Sequence, residues 1–434
     1  MYVQTLLRAA PARLAIVRTA LTLAFTLIIF IGPIAACGNQ VDLFSNDGSR
    51  PTLGLDIEPD APTHVETGNN EALEIAQRIE LGDQQELIQG RISGAGDVDV
   101  YDLGPVSPGD RVRVELQADA GLNGAIGLFD DTGCTLLIND HRNIYLGRQG
   151  PFVDVTIRRS SDTCLVALAP TPGFESTGSY ELSAVIEFPA PIPTPRRDVF
   201  ILDFEGGSNV RIGTRPAVSI PRFAAENISR KYSGLTTQMI EQIAAKVRRQ
   251  FAGYNITIHS SSETTADDDS TSRIYFGTYD PALLGVAEGV DEYNAVLSQH
   301  AIVFTDTFEV FEPLRPSLEA MSQAIANVAS HEIGHLLGLV HTDDETDIMD
   351  VTASLRQLLA EQLFGRAPIY SLVFPLGDQD SAQMLLDAVG ADPAAPRIAP
   401  TLALEQDNSL SGWKRSEPPA RGLRMLGGCG LHKR

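Results

Sequence analysis

The residues with the clearest chemical potential lie between positions 331 and 341, in the segment H-E-I-G-H-L-L-G-L-V-H. His331 and His335 are four residues apart, so on a helix their imidazoles lie on one face, one turn apart, and both can reach one metal ion. Gly338 can adopt the positive φ that ends a helix and folds the chain back, which brings His341 round as a third ligand. The spacing therefore predicts a zinc site made of His331, His335 and His341.

Three neutral imidazoles leave the fourth position of a tetrahedral zinc ion open, which distinguishes catalytic zinc sites from structural ones. Zinc lowers the pKa of a water at that position to about 7 and polarises a substrate carbonyl. Glu332 projects beside the two helical histidines, where its carboxylate can take a proton from that water and pass it to a leaving amine. The segment thus indicates a catalytic site with one zinc ion and Glu332 as general base; a helix that carries these residues by chance is the alternative.

The pattern H-E-x-x-H-x-x-G-x-x-H followed by a methionine resembles the signature of the metzincin zinc peptidases. The candidate methionine is Met349 in T-D-I-M-D, and its short distance from His341 is similar to that in the matrixins. The resemblance implies an endopeptidase that acts on protein or peptide substrates, with Met349 as a hydrophobic floor under the metal. Asp350 stands where matrixins often have Tyr-Pro, and the preceding T-D-D-E-T-D is unusually acidic, which bears on substrate preference more than on catalysis.

Length and charge limit the remaining possibilities. A chain of 434 residues is expected to form two or three domains. The net charge of −23 argues against nucleic acid as a partner and against binding of the folded surface to anionic lipid. We expect a monomer whose membrane attachment, if present, comes from a separate segment.

The N-terminus provides such a segment. Three arginines precede an uncharged run over residues 19–36, which is typical of an export signal. The run ends in I-A-A-C, which resembles the lipobox of bacterial lipoproteins and predicts a signal peptide over residues 1–36 and lipidation of Cys37. Gly38 lacks the aspartate that usually signals inner-membrane retention, so we expect an exported cell-envelope lipoprotein at the outer membrane or cell surface. A retained transmembrane anchor is the alternative.

In an oxidising compartment the other cysteines are candidates for pairing. Cys134 and Cys164 each follow a turn-like segment and lead into an apolar run, so we predict a disulfide between them; two buried thiols are the alternative. Cys429 is left over in a Gly-rich tail.

The first half of the chain has the pattern of an all-β domain. Residues 37–71 read as a flexible acidic linker, and residues 72–188 contain short alternating runs that predict an antiparallel β-sandwich. This range resembles the bacterial pre-peptidase C-terminal (PPC) domain in the segments G-R-I-S-G-A-G-D-V-D-V-Y-D-L, P-G-D-R-V-R-V-E-L and G-S-Y-E-L-S-A-V. Asp97 and Asp99 are suitable types for a Ca²⁺ site, although turn and strand-face roles are more typical.

The second half alternates between strands and helices. A Pro-rich linker over residues 189–197 leads to residues 198–395, for which the resemblance implies a metzincin-like α+β domain: a twisted mixed sheet with long helices beside a zinc cleft. A stripe of apolar residues predicts one helix, a second begins near Ser317 and carries the first two histidines, and a third covers about 380–389. The resemblance also implies an antiparallel edge strand beside the zinc cleft, to which substrates add as an extended strand; the 301–308 run is the sequentially nearest candidate.

Two segments remain. The acidic run 267–269 is most simply a solvated loop, with a Ca²⁺ site as the alternative, and residues 396–434 read as a disordered tail. Taken together, the sequence predicts an N-terminal all-β sandwich followed by a zinc endopeptidase domain, tethered to a membrane outside the cytoplasm. A non-catalytic surface adhesin that retains the zinc fold and a zinc amidase acting on a cell-wall amide are the alternative functions.

Overall fold

The computed structural model describes residues 60–81, 84–140, 150–263 and 270–394. The predictions for the signal peptide, Cys37, residues 267–269, Cys429 and the tail lie outside these ranges. The described residues up to Pro393 belong to one compact unit. Within the described ranges, none of the helices is long and apolar enough to cross a membrane.

The N-terminal part of the described chain is β-rich, as predicted. Its strands form two five-stranded sheets, in the orders β1-β3-β10-β5-β8 and β2-β4-β9-β6-β7. The strands are β1 Thr63–Val65, β2 Gln77–Arg78, β3 Glu86–Ile92, β4 Asp99–Asp102, β5 Arg111–Ala118, β6 Gly124–Phe129, β7 Thr135–Asn139, β8 Phe152–Thr156, β9 Leu165–Pro170 and β10 Gly178–Glu187. The two sheets enclose a shared apolar core, which makes this region a β-sandwich.

Two details of the sandwich differ from the sequence prediction. Strand β1 pairs with β3, so the sandwich begins before residue 72 and the flexible linker predicted through residue 71 is too long at its C-terminal end. The pairs β1–β3 and β2–β4 are parallel, whereas the other pairs in the two sheets are antiparallel. Alternation of side chains identifies a strand but does not reveal its partner or direction, so neither detail was readable from the pattern.

The two faces of the second sheet are both buried. Ile126 and Leu128 of β6 point into the sandwich core, whereas Ala125 and Phe129 point outwards into a second apolar cluster. Strand β9 alternates in the same way, and every residue of β6 and β9 is buried. The outer cluster is completed by residues from the C-terminal half of the chain, among them Ile369 and Phe374. The sandwich therefore packs directly against the region that follows it.

The C-terminal region is built around a mixed five-stranded sheet in the order β14-β11-β15-β17-β16. The strands of this region are β11 Asp198–Asp203, β12 Gly207–Val210, β13 Val218–Ile220, β14 Ile256–Ser260, β15 Ser272–Phe276, β16 Gly285–Ala287, β17 His300–Val303, β18 Arg366–Pro368 and β19 Asp378–Asp380. Strand β16 pairs antiparallel to β17 and forms one edge, while the other neighbouring pairs in this sheet are parallel. Strands β12 and β13 form one hairpin, and β18 and β19 form another ladder.

The placement of the edge strand corrects the sequence prediction. The 301–308 run is a strand only as far as Val303, and it lies inside the sheet between β15 and β16. The residues that follow, Thr305–Leu314, are 3₁₀-helical. The antiparallel edge strand is β16, a segment of three residues that is too short to show an alternating pattern.

The helices are α1 Ala225–Ile228, α2 Thr236–Gln250, α3 Leu318–His335, α4 Leu355–Leu358 and α5 Ser381–Val389; short 3₁₀ segments cover Leu73–Ile75, Arg230–Tyr232 and Glu292–Asn294. The predicted apolar stripe of α2 is buried, with Met239, Ile243 and Val247 in the core. Helix α3 is capped by Ser317, whose side chain accepts a hydrogen bond from the Ala320 N–H. Asp380 caps α5 in the same way.

A buried polar network fixes α3 against α2 one turn before the first histidine. The Gln250 amide donates to Asn327 Oδ1 at 2.7 Å and accepts from the Ser330 hydroxyl at 2.7 Å. The Asn327 amide in turn donates to the carbonyls of Leu358 and Ala360, at 3.0 and 2.7 Å. Because buried polar groups are satisfied only at one register, the network sets the rotation and height of α3.

Candidate metal centre

The first two histidines lie on the last turn of α3. His331 and His335 are both buried, and their Nε2 atoms are 3.1 Å apart. The i, i+4 spacing produces this arrangement directly, because the two side chains lie above one another on one face.

A tight turn then reverses the chain and presents His341. The Leu339 N–H donates to the Gly334 carbonyl at 2.9 Å, and the Gly338 N–H donates to the His335 carbonyl at 3.0 Å. This pair of bonds is the Schellman motif, which requires a left-handed residue, and Gly338 supplies it with φ +96°. The turn places His341 Nε2 at 3.0 Å from His335 Nε2.

Hydrogen bonds to the backbone fix which ring nitrogens face one another. His331 Nδ1 lies 2.8 Å from the Ile348 carbonyl, and His335 Nδ1 lies 2.8 Å from the Leu339 carbonyl. A carbonyl only accepts, so each Nδ1 carries the proton and each Nε2 is left with its lone pair. Burial lowers the pKa of His331 to about 3 and that of His335 to about 4, and it lowers the pKa of His341 well below its usual range. The rings are therefore neutral.

The donor set fits a zinc ion. One ring nitrogen from each histidine lies within 4.8 Å of the others. Zinc at 2.0–2.1 Å from each nitrogen in a tetrahedron needs nitrogens about 3.3 Å apart, close to the 3.0 and 3.1 Å observed. Buried lone pairs that face one another at this distance repel unless a cation lies between them. Three imidazoles, with no fourth ligand among the described residues, are the donor set of a catalytic zinc site.

Glu332 lies beside this cluster and is almost fully buried, with 5% of its surface exposed. Burial raises the pKa of its carboxyl to about 8, opposed by the positive charge of Arg215. The carboxylate packs against Gly285 at the start of edge strand β16, where a Cβ would lie 2.8 Å from Glu332 Cδ. The absence of a side chain at Gly285 is what leaves room for the carboxylate, a role that the sequence alone did not show.

Met349 lies under the helix that carries the histidines. It is fully buried, and a Cβ at Gly334 would lie 2.5 Å from its sulfur, so the Met side chain packs against α3 at the residue before His335. The Met349 carbonyl accepts from the Thr342 N–H at 3.0 Å, which ties the methionine turn to the strand-like segment of His341.

The acidic residues around Met349 have structural roles. Asp347 Oδ1 accepts from the Met349 N–H at 3.2 Å, and Asp347 Oδ2 accepts from the Thr342 hydroxyl at 3.2 Å. Asp350 Oδ2 accepts from the N–H groups of Thr352 and Ala353, at 3.0 and 2.5 Å. Both carboxylates therefore bond to the turn around Met349 and hold its backbone.

The other chemical candidates from the sequence are placed away from this centre. Cys134 and Cys164 are buried, free thiols, so the predicted disulfide is not formed. They lead into β7 and β9, which pair on opposite sides of β6, so two strand spacings of about 4.8 Å separate them, more than the roughly 7 Å that a disulfide can bridge. Sequence reasoning could not give the strand order that separates them.

Asp97 and Asp99 of the sandwich accept hydrogen bonds from neighbouring residues, as expected for turn and strand-face residues. Asp97 accepts from the N–H and hydroxyl of Ser93 in a turn, and Asp99 accepts from the Tyr180 hydroxyl inside the sandwich. His259 and His300 are on strands of the mixed sheet, and His300 stacks on Tyr275. Among the described residues, His331, His335 and His341 are the one group of histidine, cysteine and acidic side chains arranged to hold a metal ion.

Several solved structures have parts similar to this chain. They include archaemetzincin from Methanopyrus kandleri (13% identity, 40% of this chain and 89% of that chain, TM-score 0.23) and a zinc-dependent peptidase from Methanocorpusculum labreanum (15% identity, 38% and 93%, TM-score 0.22). The pre-peptidase C-terminal domain of a collagenase from Bacillus anthracis is another (16% identity, 26% and 94%, TM-score 0.20). Scores and identities of this size carry no weight in the functional assignment. No curated protein sequence matches the chain.

A family model matches the segment that holds the metal centre. Residues 250–362 match the matrixin family, and this range includes the three histidines, Glu332 and Met349. The match covers less than half of the chain, and the β-sandwich lies outside it. Over the residues that form the metal centre, the chain is therefore similar to the matrixins, and the match supports a zinc metallopeptidase.

Proposed function

We propose that the protein is a zinc-dependent endopeptidase. The observation that carries the proposal is the convergence of three neutral imidazole nitrogens, at 3.0 and 3.1 Å, beside the buried carboxylate of Glu332. A structural zinc site has four protein ligands, whereas the residues that the structure describes bring together three, next to a glutamate that could handle protons.

Each residue of the centre has a distinct task. His331, His335 and His341 would hold zinc through Nε2, and zinc when bound acts as a Lewis acid on water and on the substrate carbonyl. Glu332 takes a proton at a carboxylate oxygen and later donates it to the leaving amine. Met349 and the Asn327 network keep the two ligands of α3 in place.

The sheet edge beside Glu332 suits an extended peptide. Strand β16 pairs with β17 on one side and is the end strand of the mixed sheet. An extended peptide can add to such an edge through backbone hydrogen bonds, which fix the peptide direction without demanding a particular sequence. Because Gly285 of β16 touches the Glu332 carboxylate, a peptide on this edge would run past the general base. We therefore propose protein or peptide as the substrate class.

The location of the protein is proposed from sequence alone. The three arginines, the uncharged run 19–36 and the I-A-A-C motif support export and lipidation at Cys37 in a bacterial envelope. A lipidated N-terminus would hold the peptidase at a membrane surface outside the cytoplasm.

The proposal is tested by peptide cleavage. The chain from Gly38 to Arg434, loaded with zinc, would be incubated with a mixed peptide library, in parallel with Glu332→Gln and the exposed control Glu361→Gln. Glu332→Gln should retain zinc and lose about 10²- to 10⁴-fold in rate, since it removes one general base and leaves the ligands intact. Glu361→Gln should behave as the unmodified protein.

The outcomes separate the candidate functions. Cleavage that requires both zinc and Glu332 would establish the endopeptidase. Zinc binding without cleavage of any peptide would favour an amidase acting on a cell-wall amide or a non-catalytic binding protein. A protein that binds no zinc would overturn the metal centre itself.

A further inference from the structure

The turn that carries the third histidine is supported by a loop from elsewhere in the chain. The Asp291 N–H donates to the His335 carbonyl at 2.9 Å, the same carbonyl that closes the Schellman turn. The loop also lies against Gly338, where a Cβ would be 2.9 Å from the backbone carbonyl oxygen of Asp291 and 3.1 Å from the backbone nitrogen of Tyr293. Glycine at 338 thus permits the turn and, in addition, the close approach of residues 291–293.

The β-sandwich holds this loop through Tyr293. The Tyr293 hydroxyl donates to the Leu136 carbonyl of β7 at 2.7 Å, and the Arg158 guanidinium lies 3.9 Å above the centre of its ring. The ring packs against the core cluster of the sandwich, although Tyr293 belongs to the C-terminal region. Burial raises the pKa of its hydroxyl to about 12, so it remains a donor.

The backbone of Tyr293 has an unfavourable conformation that its contacts must maintain. Its φ and ψ are 55° and 32°, in the left-handed region that a bulky residue rarely adopts. Asn294, the next residue, also has a positive φ, and its amide donates to the Arg196 carbonyl at 2.9 Å. Such a conformation persists only where surrounding contacts over-determine it, and for the Tyr293 side chain those contacts come from Leu136 and Arg158 of the sandwich.

The other side of the same turn is bonded to residues of the C-terminal region whose neighbours pack against the sandwich. The Gln379 amide brackets Val340, accepting from its N–H at 2.8 Å and donating to its carbonyl at 2.9 Å, and the Tyr370 N–H donates to the His341 carbonyl at 2.9 Å. The segment that supplies Tyr370 continues to Phe374, which is fully buried against Phe129 of β6, with ring centres 5.7 Å apart.

The space between the two regions confirms how close they are. A cavity of only about 20 Å³ separates β7 from the turn, with Leu137 and Ile138 on one side and Gly338 and Val340 on the other. Because little free space lies between β7 and the turn, a displacement of the sandwich would also move the turn that carries His341.

We infer that the β-sandwich positions the third zinc ligand, with Tyr293 as the positioning residue through which it acts on the 336–341 turn. The inference rests on the proposed zinc site, and it assigns the sandwich a role in the chemistry of that site. Ile369 and Phe374 of the C-terminal region pack on the outer face of its second sheet.

The test is the effect of Tyr293→Ala on the metal rather than on activity alone. The zinc dissociation constant would be measured by chelator competition, and the visible spectrum of the Co²⁺-loaded protein would report ligand geometry. Removal of a group that is hydrogen-bonded to a metal ligand typically lowers metal affinity 10- to 100-fold. Tyr293 acts through the loop that bonds to the His335 carbonyl, so we expect zinc binding to weaken about tenfold and the Co²⁺ spectrum to change. In peptide assays kcat should fall while KM stays nearly unchanged.

Two further variants protect the test against a simple loss of folding. Tyr293→Phe keeps the ring on Arg158 but loses the hydrogen bond to Leu136, and we expect a smaller change in the same direction. Tyr279→Ala removes a tyrosine of the same region that is 54% exposed, and it should leave zinc affinity and spectrum unchanged.

Three results would overturn the inference. Tyr293→Ala with wild-type zinc affinity and Co²⁺ spectrum would do so, even if its thermal stability were lower, because the residue would then be merely structural. Equal effects of Tyr279→Ala and Tyr293→Ala would do so as well. A wild-type protein that binds no zinc would remove the proposed site and the inference with it, whereas zinc binding without peptide cleavage would overturn the endopeptidase alone and leave the positioning role measurable.

Discussion

Gly285→Ala is the substitution that best separates the general base from the metal ligands. The added Cβ would lie 2.8 Å from Glu332 Cδ and 2.9 Å from Cγ, whereas ordinary contact begins at 3.4 Å. Glu332 must therefore move by about 0.6 Å or more, within a site where a displacement of about 1 Å can cost 10²-fold in rate. The three atoms nearest to the new methyl group all belong to Glu332, so the main displacement falls on the general base and zinc should remain bound.

We expect kcat/KM for peptide cleavage to fall by about 10- to 100-fold in Gly285→Ala, equivalent to about 1.4–2.7 kcal/mol of transition-state stabilisation. Zinc content and the zinc dissociation constant should match those of the unmodified protein. The assay is steady-state cleavage of a fluorogenic peptide, with metal content measured on the same sample.

Gly289→Ala is the matched control, because a Cβ at Gly289 has no neighbour within 4 Å and its φ is not in the left-handed region. It should retain full activity. Full activity in Gly285→Ala would refute the assignment of a fixed Glu332 carboxylate as the working base. A loss of zinc in Gly285→Ala would show that the carboxylate and the ligand set are not independent.

Three further predictions follow from burial, backbone geometry and charge. Gly338→Ala should cost about 1–2 kcal/mol in free energy of unfolding and weaken zinc binding, since φ is +96° and the loop at Asp291 leaves no space; denaturant unfolding and chelator titration measure both effects. Phe374→Ala should cost about 3–5 kcal/mol by loss of a fully buried ring, whereas Leu372→Ala, at a side chain 58% exposed, should cost less than about 0.5 kcal/mol. Burial raises the pKa of Asp99 from 3.8 to about 7, so the folded state binds its proton more tightly than the unfolded state. The contribution of Asp99 to stability is therefore greatest below pH 4 and declines as the pH rises towards 7. Asp99→Asn should flatten the pH dependence of the unfolding free energy between pH 4.5 and 7.5. An unchanged slope would contradict the raised pKa of Asp99.

Local geometry explains which parts of the site could be predicted from the sequence. The i, i+4 pair of His331 and His335 and the left-handed turn at Gly338 are determined within a few residues, so spacing alone indicated that His341 would meet them. The α2 stripe and the starts of α3 near Ser317 and of α5 near Asp380 were readable for the same reason. These features depend on short-range geometry that every helix obeys.

Long-range pairing explains what could not be predicted. Edge strand β16 is three residues long and pairs with a strand that follows it by more than ten residues, so no local pattern marks it. The separation of Cys134 from Cys164 depends on β6 lying between their strands. The role of Tyr293 depends on contacts with residues more than a hundred positions away. One signal was present: the apolar run L-V-A-L-A in β9 lacks alternation, which is typical of a strand buried on both faces.

The packing of Phe374 against Phe129 limits how this protein can be rearranged by recombination. The Pro-rich segment 189–197 has the composition of an exchangeable joint, yet the Ala190 N–H is bonded to the Gly109 carbonyl and the Arg196 N–H to the Ala388 carbonyl. A gene fusion that replaced the N-terminal half with an unrelated module would leave Ile369 and Phe374 facing water. We therefore expect the two halves to be inherited together, with substitutions on β6 tolerated only when the 369–374 segment changes to match.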